Sequence, residues 1–222
     1  MSGAQSAGAV GVFGGTFDPV HYGHLRTALE LLEYAGLEEM RFIPAGAPPH
    51  RDTPHADART RLALVQAAIE GEPRFHVDDR ELRRDGPSWT VHTLRELRAE
   101  LGSRPLCLVV GMDAFIGLTS WHRWEELLEL AHLLVAHRPG WAAPADGVLG
   151  QLLRERRVET GPALQAAPAG RIGICAVTQL EISSSAIREI VRAGRAPRYL
   201  VPDAVCRLLA ASGCYMAAAE RH

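Results

Sequence analysis

Short apolar runs alternate along this chain with longer stretches in which apolar residues recur at helical spacing. The short runs are AVGVF (9–13), RFIP (41–44), RFHV (74–77), LCLVV (106–110), HLLVA (132–136) and IGICAV (172–177). They are mostly apolar at odd and even positions alike and end at Gly, Pro or His, which is the pattern of strands covered on both faces. Between them, Leu25, Ala28, Leu29 and Leu32 recur at i, i+3, i+4 and i+7. Leu62, Val65 and Ile69 do the same before Gly71, Leu94, Leu97 and Leu101 before Gly102, and Ile187, Ile190 and Val191 before Gly194. Trp124, Leu127, Leu128 and Ala131 form a further stripe, on which Trp124 reads as core. Glycine just past the last apolar position is a helix-stop signal. The alternation predicts an α/β fold with a Rossmann-like, doubly wound and mostly parallel sheet flanked by helices. A single domain is expected over 9–222, with a disordered tail over 1–8. Pro139 to Gly170 is richer in Ala, Pro and Gly and reads as a surface excursion.

Composition narrows the partners. With 222 residues, 47% hydrophobic and 23% charged, the chain can bury a sizeable core unaided. A net charge of −2 provides no general attraction to nucleic acid or to an anionic membrane, so any anion site must be local. Cys107, Cys175, Cys206 and Cys214 lie far apart without a C-x-x-C pair, which points to reduced thiols in a cytoplasmic protein. Neither a secretory leader nor an apolar run long enough to span a membrane is present in the sequence given.

Nearly all the unusual sequence follows directly on a strand: GGTFDPVHYGH, PAGAPPHR, DDRELRRDGPSWT, GMD, HRPG and LEISSSAIR. Open parallel sheets bind ligands at the carboxyl ends of their strands, so these loops are expected to meet in one crevice. Gly14 and Gly15 leave room for backbone N–H groups to approach a phosphate, and the next helix offers its positive N-terminus to the same anion. His21 and His24 share one face at that helix start. The stretch is neither a P-loop nor a G-x-G-x-x-G fingerprint. A tight βα turn with a capping histidine is the structural alternative, and zinc would need a further ligand that the spacing does not offer.

In LEISSSAIREIV, one of Ser183, Ser184 or Ser185 is expected to cap the helix defined by Ile187 and Ile190. Arg188 then falls in a first turn that disfavours a cation, unless an anion lies there too. A surface pair with Glu181 or Glu189 is the competing reading. DDRELRRD reads as a solvated charge run, and Ser88 as an N-cap.

GGTFDPVHYGH, with its H-x-G-H core, resembles the signature of the nucleotidyltransferase superfamily, and ISSSAIR resembles that superfamily's I-S-S-T-x-I-R motif. FIPAGAPPHR, GPSWTVHTL, GMDAF, SWHRWEEL and HRPG, in that order, are similar to the bacterial nicotinate-nucleotide adenylyltransferase family. The likeness runs from about Val10 to Tyr215. Trp89 stands where Tyr is commoner, Arg51 where Lys is common and Ser185 where Thr is frequent.

The resemblance implies the nucleotidyltransferase fold and transfer of the adenylyl group of ATP to nicotinate mononucleotide, giving deamido-NAD and pyrophosphate. It places Gly14, Gly15, Thr16 and Phe17 along the ATP phosphates and His21 and His24 as donors to them. Ser184 and Arg188 fall on the leaving phosphates, and Asp113 near a ribose. His50, Arg51, Trp89, Thr90, Trp121 and Arg138 fall to the mononucleotide, with amides near Thr90 facing the nicotinate carboxylate and Trp121 stacking on the ring. Mg2+ is expected with ATP, with no protein site of its own. A monomer or small homo-oligomer free of nucleic acid and membrane is implied. Rival readings are an acceptor such as nicotinamide mononucleotide or phosphopantetheine, or a nucleotide sensor that binds without turnover.

Overall fold

The computed structural model describes residues 8–48, 53–137 and 140–216. Its strands are β1 (Val10–Gly15), β2 (Glu39–Pro44), β3 (Phe75–Val77), β4 (Leu106–Gly111), β5 (His132–His137), β6 (Arg157–Val158) and β7 (Ile172–Ala176). Its helices are α1 (Tyr22–Ala35), α2 (Ala58–Ile69), α3 (Arg80–Arg83), α4 (Thr90–Leu101), α5 (Met112–Ile116), α6 (Leu127–Leu130), α7 (Gly147–Arg156), α8 (Ser184–Arg192) and α9 (Asp203–Ser212). Strand order is β3-β2-β1-β4-β5-β7-β6, and the pairings β1–β4, β4–β5, β5–β7 and β6–β7 are all parallel. This is the expected Rossmann-like sheet. Each of the apolar runs read from the sequence falls on a strand.

The described chain forms two compact units. The first holds the residues up to Phe13, Thr27–Arg41 and Trp89–Thr178. Leu108, Val109, Leu133, Leu134 and Ile172 are all buried there, because strands enclosed by helices bury both parities of side chain. Arg98 closes the end of α4 by donating to the carbonyls of Gly102, Arg104, Leu130 and Pro168. Burial pushes the Cys107 thiol up to about 12, which keeps it protonated and inert. Trp124 is half-buried rather than core; Leu127 and Ala131 carry the buried part of its stripe.

The reading of Pro139 to Gly170 as a surface excursion is overturned. The segment contains α7 and β6, and β6 pairs in register with β7 through Arg157↔Ile172 and Val158↔Gly173. Leu149, Leu153 and Leu164 are buried. Gln165 Nε2 donates to the Ala35 and Gly36 carbonyls, tying the segment to the end of α1. Its Ala-rich sequence hides this because short side chains and a two-residue strand give almost no periodic signal. From the expected tail, only Gly8 lies among the described residues, and Arg104 Nε donates to its carbonyl.

The second unit holds Gly14–Arg26, Phe42–Ser88 and the residues from Gln179 onward. Helix α2 packs against β3 and α9. Phe42, Leu64, Val65, Ile187, Val205 and Leu209 supply its core. Asp57 caps α2 by accepting from Thr60 N–H at 2.9 Å. DDRELRRD is not a plain solvated run: Glu81 is buried, and Arg80 pairs with Asp78 at 2.6 Å. Helix α9 was not anticipated from the sequence.

The packed state of the 139–170 segment has a direct test. A Cβ at position 161 would lie 1.9 Å from the Tyr34 carbonyl oxygen. Gly161→Ala is therefore expected to cost about 2 kcal/mol in urea unfolding. A change within about 0.5 kcal/mol, as on an open surface, would contradict the packing.

Candidate active site

The GGTFDPVHYGH stretch lies in the second unit, and its backbone explains its residue types. Strand β1 continues through Gly14 and Gly15, so the glycines end the strand instead of following it. A Cβ on Gly14 would meet nothing within 4 Å, so its backbone borders open space. Gly15 is needed for another reason, since a Cβ there would lie 2.9 Å from the Phe17 ring. Phe17 adopts a left-handed backbone, φ 49°, at a cost of about 1 kcal/mol. Its ring is buried and lies edge-on to His24 at 5.2 Å and tilted on Phe42 at 5.9 Å.

The two histidines stack, with centroids 3.8 Å apart and planes at 30°. Gly23 permits this, because a Cβ there would come within 3.0 Å of the His21 imidazole. The His21 backbone N–H donates to His24 Nδ1 at 3.3 Å. An accepting Nδ1 carries no proton, so the proton of neutral His24 sits on Nε2, which is thereby a donor.

Helix α8 meets the same turn. Ser183 caps it, accepting from Ala186 N–H at 3.2 Å. Ser184 Oγ donates to the Pro19 carbonyl at 2.9 Å. Arg188 donates to the Asp18 carbonyl at 2.7 Å and to Ser185 Oγ at 3.0 Å. His21, His24, Ser184 and Arg188 thus belong to one construction around residues 14–24. The surface pair of Arg188 with Glu181 or Glu189 is not the arrangement seen.

Two buried ionic residues in this unit escaped the sequence reading. Arg61, on α2, is 1% exposed and donates to the carbonyls of Thr16 (2.7 Å), Ala45 (2.6 Å) and Ala56 (3.3 Å). It joins the phosphate turn to the segments on either side of residues 49–52. Burial lowers its affinity for a proton, and the charge of Asp18 opposes that. Asp18 is also buried; it accepts from His55 N–H (2.8 Å), Ala56 N–H (3.1 Å) and Tyr215 Oη (2.6 Å). Burial alone would raise its pKa, but the Tyr215 hydroxyl, the two amides and Arg188 together hold the carboxyl below its usual range. Arg61 was passed over because it interrupts the apolar stripe of α2, and nothing local marks a buried arginine. Ser88 is not the cap of α4: its Oγ accepts from Gly46 and Ala47 N–H instead, at 3.0 and 3.2 Å.

Trp89, Thr90, Asp113 and Trp121 are in the first unit. Trp89 is the N-cap residue of α4 and supplies no side-chain acceptor to it, so the helix opens at Thr90 without an internal anion. The Trp89 ring lies 4.8 Å from that of His122. Trp121 is half-buried, its backbone N–H donating to the Leu118 carbonyl at 2.9 Å. Asp113 is exposed at the carboxyl end of β4, and a Cβ on Gly111 would lie 2.5 Å from its Oδ1. His50, Arg51 and Arg138 lie outside the described residues.

Residues 12–190 match the family described as cytidylyltransferase-like, a span that contains both GGTFDPVHYGH and ISSSAIR. Over 218 residues the chain is 50% identical to the "probable nicotinate-nucleotide adenylyltransferase" of Pseudomonas putida, covering 98% of this chain and 99% of that one. The protein of the same name from Hahella chejuensis is 47% identical over 207 residues, 92% of this chain and 94% of its own. The chain belongs to the nicotinate-nucleotide adenylyltransferase family. Its fold is also that of the Plasmodium falciparum nicotinic acid mononucleotide adenylyltransferase complexed with NaAD. That structure has a TM-score of 0.70 at 14% identity, with 94% of this chain and 97% of that one covered. Residues 14–24, Ser184 and Arg188 fall within the family span, and Tyr215 lies beyond it.

The buried carboxylate makes a pH-dependent prediction. A group whose pKa is depressed on folding stabilises the native state above its unfolded value, near 4, and that contribution is lost as pH falls through the folded value. Asp18→Asn should cost about 2 kcal/mol in urea unfolding at pH 7, and the gap to wild type should narrow at pH 3. An equal gap at both pH values would mean that the Asp18 charge contributes nothing.

Proposed function

We infer that this chain transfers the adenylyl group of ATP to nicotinate mononucleotide, releasing pyrophosphate and forming deamido-NAD. The observation that carries the reading is the phosphate turn itself. One unit holds a glycine opening, a histidine with its donor nitrogen fixed, and Arg188, the fifth residue of α8, bonded back to the turn over residues 14–24. Near-identity in length to relatives named for this reaction supports it.

The mononucleotide brings its own nucleophile, a 5′-phosphate oxygen, which attacks the α-phosphorus of ATP and displaces pyrophosphate. No covalent enzyme intermediate is needed. Catalysis then rests on alignment and on donors placed where negative charge grows. His24 Nε2–H serves the α-phosphate, with His21 stacked behind it. Gly14, Gly15, Thr16 and Phe17 border the phosphate chain, and Ser184 and Arg188 take the β- and γ-phosphates that leave. Asp113 serves a ribose hydroxyl.

The N-terminus of α4 at Thr90 suits the nicotinate carboxylate, since a helix start without a side-chain acceptor favours an external anion. Trp89 and Trp121 offer faces for the pyridinium ring. His50, Arg51 and Arg138 are assigned to the mononucleotide from the family resemblance alone. Magnesium enters as part of the substrate MgATP. Among the described residues no three His, Cys, Asp or Glu gather to hold an ion, and both Asp18 carboxylate oxygens are already engaged. The free thiols suit a reducing, cytoplasmic setting, and among the described residues no helix is long and apolar enough to cross a membrane.

His24→Ala removes one transition-state donor and should lower kcat/KM by about a hundredfold with an unchanged melting curve. Full activity would remove His24 from the mechanism. Pyrophosphate release with MgATP should also be faster with nicotinate mononucleotide than with the nicotinamide form; the reverse order would move the enzyme to the amide acceptor.

A further inference from the structure

Tyr215 stands beyond the family span of residues 12–190 and outside every motif in the sequence. Its side chain is nevertheless 4% exposed, and its hydroxyl reaches Asp18, 197 positions away in the chain, at 2.6 Å. We propose that Tyr215 is a positioning residue for adenylyl transfer, acting through the Asp18 carboxylate to hold the phosphate-binding turn in its reactive geometry. The proposal rests on the activity inferred above.

Asp18 joins three parts of the unit besides its own turn. Its oxygens take the Tyr215 hydroxyl and the His55 and Ala56 amides, the latter two a few residues after the 49–52 stretch. Its backbone carbonyl takes Arg188, and the next carbonyl, Pro19, takes Ser184. A displacement of residue 18, once its side chain loses an anchor, is therefore passed within one residue to both groups assigned to the leaving phosphates. The aromatic ring fixes the hydroxyl by its burial. Burial, and then the Asp18 charge, push the phenol well above its ordinary pKa, so it stays a donor throughout the working range.

Loss of the hydroxyl has a consequence that a packing role lacks. The groups facing the Asp18 carboxylate are Tyr215, the His55 imidazole at 3.5 Å, Arg188 at 3.9 Å, and the more distant Arg61 and Cys214. Removing the Tyr215 donor leaves burial less opposed, so Asp18 takes up its proton at higher pH. The acid limb of kcat/KM then moves upward.

The experiment uses the full-length chain. Tyr215→Phe, assayed with MgATP and nicotinate mononucleotide well below its melting temperature, should lose about tenfold in kcat. Its acid limb should move to higher pH. Leu209→Ala, in the core of α9 and without contact to Asp18 in the described network, is the packing control. It should lower the melting temperature but keep kcat and the acid limb near wild type. A protein with 3-fluorotyrosine at 215 keeps the native shape and carries a more acidic hydroxyl, so it serves even if Tyr215→Phe folds poorly. Its acid limb should move to lower pH.

Unchanged kcat and acid limb in Tyr215→Phe would overturn the proposal, as would an unmoved limb in the fluorinated protein or the same losses in Leu209→Ala. If wild type itself does not turn over nicotinate mononucleotide, the functional reading fails instead, which is a separate result.

Discussion

A full negative charge is buried in the turn over residues 14–24, and the donors around it are arranged to meet that charge. An uncompensated ion in a protein interior costs several kcal/mol, more than any single hydrogen bond returns. Asp18 is tolerable only because a hydroxyl, two amides and the Arg188 guanidinium surround it. These donors come from three different stretches of chain, residues 55–56, 188 and 215, so neutralising the carboxylate also gathers those stretches. The charge is thereby spent inside the protein and does not repel the substrate phosphates.

The arginines illustrate how the turn is held without exhausting its cations. Arg188 uses two contacts, to the Asp18 carbonyl and to Ser185 Oγ, out of the five N–H groups a guanidinium carries. Arg61 is different: it is 1% exposed and ends on three backbone carbonyls. Carbonyl oxygens pulled toward Arg61 leave the amides of the same peptides pointing the other way. A buried cation thus orients neutral backbone dipoles and needs no carboxylate partner in direct contact. The first arginine is suited to ligand contact and the second to construction.

How legible this was in the sequence depended on whether a feature is local. Apolar runs such as LCLVV and HLLVA lie on strands because every residue in them is buried, and helix-ending glycines at 102 and 194 sit at positive φ. H-x-G-H and SSSAIR could be read as anion sites from glycine, cap and charge placement alone. Gly23 has a reason visible only in three dimensions, the closeness of the His21 ring. Arg61, Tyr215 and the Ser88 contacts were illegible because each depends on at least one partner sixteen or more positions away. The Pro139 to Gly170 segment failed for a different reason: alanine carries little amphipathic signal, yet Leu149, Leu153 and Leu164 are buried and anchor a segment whose other side chains are mostly exposed.

The stacked imidazoles show how backbone geometry sets chemistry. His24 Nδ1 accepts the His21 amide, so a proton can be added there only by breaking that bond. In the neutral ring the inner nitrogen is the acceptor and the outer one keeps its hydrogen, so Nε2 is the donor. A neutral donor is well matched to a phosphate whose charge rises only during reaction, since it binds the ground state less tightly than a fixed cation would. The fixed cation, Arg188, sits instead in α8, bonded to the Asp18 carbonyl, and is the group that the proposed function gives to the leaving phosphates. Dividing the two roles between a backbone-oriented histidine and a helix-borne arginine is a physical consequence of how residues 14–24 fold.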